Sequence, residues 1–130
     1  MKLEVYLYFK GSCKEAMEFY KGVFGGELST TTYESVGNSD PAKKELLMHA
    51  SLSGGDISLM ASDTDGASTR SAKVELCLVG NDEAKLRQAF NKLSEGAGGV
   101  MALEKQSWGD IYGKLTDKFG VDWAFNIGAS

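Results

Sequence analysis

Residues 12–28 read SCKEAMEFYKGVFGGEL, and residues 82–98 read DEAKLRQAFNKLSEGAG. In the first stretch Ala16, Phe19, Tyr20 and Val23 stand at i, i+3, i+4 and i+7, the apolar stripe of a helix that packs one face on a core. Leu86, Ala89, Phe90 and Leu93 repeat that spacing in the second. Each stretch opens with a side chain able to accept a hydrogen bond from a free first-turn N–H: Ser12, with Glu15 three residues on as a capping box, and Asp82. Each runs out in glycine, Gly25-Gly26 and Gly96, where helices commonly stop. The chain therefore reads as one helix-bearing unit written twice, which constrains architecture more than any single motif does.

Strand patterns flank both helices. Residues 3–9 alternate, with Val5, Leu7 and Phe9 on one face and Glu4, Tyr6 and Tyr8 on the other. Residues 27–34 are rich in β-branched side chains and read as a second strand. The stretch 35–44 holds the only proline among turn formers and reads as a loop. Residues 45–53 and 56–61 then form two strands joined through Gly54-Gly55. The polar stretch that follows has no periodicity, so module one is set at 1–62, the joint at 63–71 and module two at 72–130, all in a single domain, 1–130. Module two repeats the order: a strand at 73–79, the helix, then VMALEKQ, IYGKLTD, a turn at 118–120 and VDWAFNIG. Two βαβββ modules with runs of strands predict an α+β fold.

Composition narrows the class. In 130 residues, 42% hydrophobic and 25% charged, Lys plus Arg number 14 against 18 Asp plus Glu, a net charge of −4. An acidic chain without a basic stripe is not expected to bind nucleic acid. No apolar run approaches the roughly 20 residues of a membrane helix, and the first residues lack the pattern of a signal peptide, so a cytoplasmic location and no membrane partner are expected. Cys13 and Cys77, one at a helix start and one in a strand, are expected to be free thiols.

The two faces of each predicted sheet differ in character. Val5, Leu7, Phe9 and Val74, Leu76, Leu78 suit the helix stripes. Glu4, Tyr6, Tyr8 and Glu75, Cys77, Val79 face the other way, and carboxylates and phenols are poor core material unless paired. An aromatic wall with a few polar groups is how small-molecule pockets are built.

Beyond these patterns, EAMEFYKGVFGGEL, HASLSGGDISLMASD and above all WGDIYGKLTDKFGVDW resemble the PhnB-like branch of the vicinal oxygen chelate superfamily, whose relatives include glyoxalase I, bleomycin-resistance proteins and extradiol dioxygenases. The resemblance runs from about Leu3 to Ile127. It implies a curved eight-stranded mixed sheet, built as two four-stranded sheets around a cavity, usually in a homodimer. It also implies a divalent metal (manganese, magnesium or zinc) held by ligands from the first and last strands of each module. Matched residue by residue, Glu4 and Glu75 take two of those places. Module two has Ala124 where glyoxalase-like members have glutamate, with Asp122 and Asn126 nearby, and module one offers Ser58 and Met60. Two carboxylates are a thin shell for zinc, which wants three or four ligands, whereas magnesium or manganese can keep several waters.

His49, the only histidine, lies on the third predicted strand. It reads either as a general base, or hydrogen-bond partner of a ligand oxygen, or as a histidine bonded within the sheet or at a dimer contact. Glu75 is the second candidate for proton transfer. Tyr6, Tyr8, Trp108 and Tyr112 are candidate cavity lining, with ordinary sheet packing as the alternative. Cys77 has no sequence neighbour to activate it as a nucleophile. No G-x-S-x-G, G-x-G-x-x-G or Walker pattern occurs. The resemblance implies two alternative functions: a small-molecule enzyme of lyase, isomerase or dioxygenase type assisted by a divalent metal, or a metal-free protein that binds an antibiotic or metabolite without catalysis.

Overall fold

The computed structural model describes residues 3–37, 41, 45–64 and 74–128, so most of the loop 35–44 and of the joint 63–71 lies outside the described residues. The chain divides into two units, residues 1–69 and 70–130. The first contains β1 (Tyr6–Phe9), α1 (Cys13–Phe24), β2 (Glu27–Thr32), a 3-10 turn (Glu34–Val36), β3 (Leu47–Ser53) and β4 (Leu59–Asp63). The second contains β5 (Leu76–Gly80), α2 (Glu83–Leu93), β6 (Gly98–Lys105), β7 (Ile111–Thr116) and β8 (Asp122–Ile127). Their sheets have the orders β1-β4-β3-β2 and β5-β8-β7-β6, each with its first strand parallel to its last and the other pairings antiparallel. The repeat seen in the two helices thus extends to the topology of both sheets, and the eight strands fall into two mixed four-stranded sheets.

In the first unit α1 lies over β3, β2 and β4. Its buried face is Cys13, Ala16, Met17, Tyr20 and Phe24, a stripe turned toward the Met17 side, leaving Phe19 and Val23 half-buried at its edge. Phe9, Ala50, Leu52, Leu59 and Ala61 receive it from the sheet. The two alanines pair directly, Ala50 with Ala61, so the sheet is thinnest where they meet. Each large apolar side chain buried in this way contributes about 1.5–3 kcal/mol. The helix ends at Gly25, with φ of 74°, where the β3–β4 turn crosses it. A Cβ on Gly55 would lie 2.5 Å from the Gly25 backbone, and the Asp56 N–H donates to the Phe24 carbonyl at 3.1 Å. That crossing lengthens the turn, so β4 covers 59–63 rather than the expected 56–61.

Ser12 does not cap α1 with its side chain. A residue distant in sequence does the work: Asp63, buried at the end of β4, accepts the N–H groups of Gly11 (2.8 Å) and Cys13 (3.0 Å) on Oδ1, and that of Leu47 (3.0 Å) on Oδ2. Polar Asp63 therefore belongs to the closing strand and ties β1, α1 and β3 together.

In the second unit Asp82 caps α2 as expected, accepting the Lys85 N–H at 3.1 Å. Phe90 meets Phe125 edge to face, 5.3 Å between centroids, and Leu93 is buried beside it on the helix. After β7 the buried carboxylate of Asp117 accepts the N–H groups of Phe119 and Val121 and, at 2.8 Å, the indole N–H of Trp123. Among the described residues no helix is long and apolar enough to cross a membrane.

Candidate functional site

Because side chains alternate across a strand, the pairing register assigns each residue to the helix-covered face or to the open one. On the first sheet Tyr6 pairs with Met60 and Tyr8 with Ser62, while Met60 also pairs with Ser51. These residues, with His49 on β3, occupy the open face, as the alternation of residues 3–9 predicts. The rings gather there: Tyr6 and Tyr8 stand 5.0 Å apart, Tyr6 and His49 5.8 Å apart, and the Tyr6 hydroxyl lies 3.2 Å from His49 Nδ1. His49 is thus bound to an open-face phenol. Tyr8 is 53% exposed, so this aromatic surface is in reach of a ligand. Glu4 stands just ahead of β1 and is exposed.

On the second sheet the register builds rows across the open face. Cys77, Ala124, Lys114 and Met101 form one row; Val79, Asn126, Tyr112 and Glu104 form the next. Thr116 pairs with Asp122, and its hydroxyl lies 2.5 Å from Asp122 Oδ1. Glu75, one residue ahead of β5, shares with Gly99, Lys114, Thr116 and Asp122 the lining of a hollow of about 390 Å³. Trp108, on the β6–β7 turn, meets Tyr112 edge to face at 6.2 Å, and the Asn126 amide donates to Asp110 at 3.0 Å.

The two thiols differ. Burial first and the Asp63 charge second push Cys13 up to about 12, so it is inert in the core. Cys77 is exposed, and its thiol is also raised, by partial burial and then by the Glu75 carboxylate. Both effects favour the protonated thiol, the reverse of what a nucleophilic cysteine needs.

Within the first unit Tyr6, Tyr8 and His49 gather on the open face; within the second Trp108 meets Tyr112, and Glu75 lines the hollow. Glu4 and Glu75 belong to different units. Lys114 was not singled out by the sequence; its signal is the alternation Tyr112, Lys114, Thr116 along β7. Among the described residues no three of His, Cys, Asp and Glu come together as a metal ion requires. In the hollow, moreover, two carboxylates share the lining with an ammonium group. Such a donor set does not fit a divalent ion, which needs more ligands and no competing cation.

Residues 2–125 match the model of the Glyoxalase/Bleomycin resistance protein/Dioxygenase superfamily, and the chain belongs to that superfamily. The chain is similar to protein PA1353 from Pseudomonas aeruginosa, with 32% identity over 97% of this chain and 98% of that one and a TM-score of 0.80. It is similar to the PhnB protein from Bacillus cereus, with 24% identity over 98% of this chain and all (100%) of that one and a TM-score of 0.76. Protein YjdN of Escherichia coli (strain K12) is 27% identical over 98% of this chain and 95% of its own length. The fold is shared more distantly with a bleomycin-binding protein complexed with bleomycin, at 18% identity over 98% of this chain and 99% of that one, TM-score 0.58.

Proposed function

We propose that the protein is a small-molecule-binding member of its superfamily, holding a partly apolar ligand against an open sheet face without a resident metal. The observation that carries this reading is the Tyr6, Tyr8 and His49 cluster, in which three rings within 5.8 Å of a neighbour line a helix-free face. Aromatic faces supply contact area at low entropic cost, and the His49–Tyr6 pair supplies a polar handle. The superfamily description names bleomycin resistance, and a more distant fold neighbour is complexed with bleomycin; both support the reading.

The test is a thermal-shift screen of chelator-treated protein against bleomycin and a panel of aromatic metabolites, followed by calorimetry. A compound that binds with no metal present, and loses affinity in Tyr6→Ala, supports the reading. No stabiliser in chelator, with binding or turnover appearing only on adding manganese, overturns it. A catalytic form of the same reading has His49 and Glu75 as proton carriers. The Tyr6 hydroxyl at Nδ1 favours it, because a fixed imidazole is a better proton carrier than a loose one. Turnover of a bound compound that vanishes in His49→Gln, with binding retained, is its signature.

A further inference from the structure

We infer that the ligand held on the second sheet is amphoteric, its anionic group on Lys114 and its ammonium or other cationic donor on Glu75. This rests on the small-molecule reading above and adds the chemical class of the ligand. The hollow of about 390 Å³ falls within the roughly 300–1,000 Å³ of small-molecule pockets. Its lining carries charges of both signs that do not satisfy one another. The ion pairs described in this unit are Arg87–Glu83 and Lys118–Glu95, and among the described residues Lys114 makes none. Asp122 is engaged by the Thr116 hydroxyl, which leaves Glu75 the less committed acid.

The spacing follows from the register. Lys114 on β7 lies two strands from β5 and one row along from Glu75. At about 4.8 Å between strands and about 3.4 Å per residue, their Cα atoms are about 12 Å apart. Both side chains point to the open face, over the small Ala124, so one compact molecule can touch both. An ammonium and a carboxylate held apart in one hollow bind a molecule of opposite polarity better than they bind either charge alone. A purely anionic ligand meets Glu75 and Asp122, and a purely cationic one meets Lys114.

The experiment uses four probes built on one ring: tryptophan, tryptamine, indole-3-propionate and 3-methylindole. Each is titrated at millimolar concentration into the ¹⁵N-labelled full chain while amide resonances of β5, β7 and β8 are followed. Tryptophan is expected to bind tightest, about fivefold over 3-methylindole. Lys114→Met removes the gain of tryptophan and indole-3-propionate but not that of tryptamine. Glu75→Gln removes the gain of tryptophan and tryptamine but not that of indole-3-propionate. Both positions are exposed, so neither change threatens the fold. Equal binding of all four probes, within about twofold, overturns the charge assignment and leaves small-molecule binding standing. If no probe shifts these resonances, this inference falls, and if the aromatic screen also fails, the small-molecule reading falls with it.

Discussion

Asp63 holds the start of the first helix: its Oδ1 accepts the Cys13 backbone N–H at 3.0 Å across 50 residues of sequence. Two further N–H groups, of Gly11 and Leu47, depend on the same carboxylate. Asp63→Ala leaves the buried N–H groups of Cys13 and Leu47 without their acceptor, each worth about 1–3 kcal/mol, and the part-buried one of Gly11 with water alone, so a loss of about 3 kcal/mol or more is expected in urea unfolding. Asp63→Asn keeps one carbonyl oxygen and loses less. An unchanged midpoint in Asp63→Ala would show that the carboxylate is not the tie described.

The neighbouring thiol sets an alkaline limit. Folded Cys13 keeps its proton up to about 12, whereas in the unfolded chain it ionises near the ordinary value of 9.0. Its stabilising contribution is therefore complete below about pH 9 and is lost as pH rises toward 12, at up to about 1.4 kcal/mol per pH unit. Unfolding free energies of the wild type and Cys13→Ala, compared from pH 8 to 11, should converge with rising pH. Parallel curves would contradict the raised value.

Thiol labelling separates the two cysteines. In the native protein a disulfide reagent should modify Cys77 slowly and Cys13 only on unfolding, since one is exposed and the other buried. Removing the negative charge in Glu75→Gln should speed labelling of Cys77 at pH 8, because that charge helps to raise the thiol. An unchanged rate would mean that Glu75 does not act on Cys77.

Two tryptophans report on two environments. Trp108 is 61% exposed, whereas Trp123 is 1% exposed with its N–H on Asp117. Iodide should quench the wild type through Trp108 alone, and Trp108→Phe should leave a blue-shifted, poorly quenched emission. Strong residual quenching in that variant would mean that Trp123 is not enclosed.

For any compound found in the aromatic screen, Tyr6→Phe should weaken binding by about two- to fivefold through loss of the hydroxyl at His49, with little change in Tm. Calorimetry and a melting curve on the same sample check both parts. A large fall in Tm instead would assign the pair to folding.

Much of this was legible in the sequence because alternation is enforced by geometry. Once residues 3–9 form a strand, Tyr6 and Tyr8 must share a face and Phe9 must take the other. The helices were legible from their stripes, but the stripe of α1 is centred nearer Met17 than the i, i+3, i+4 count suggests, since packing against β3 and β4 sets its rotation. Local rules assign the α1 cap to Ser12, whereas the acceptor comes from Asp63, a distance in sequence that such rules do not span. Lys114 was invisible for a related reason: a lysine on a strand looks like any surface lysine until pairing puts it in one hollow with Glu75 and Asp122.

The alternation along β5, β7 and β8 also separates two kinds of change. Cys77 alternates with the half-buried Leu76 and Leu78, and Lys114 is followed by the buried Leu115, so substitution at every second position rewrites what the open face attracts and leaves the opposite face as it was. A lineage built on this plan can remodel that face in single steps, each still a folded protein, and need not trade solidity for novelty.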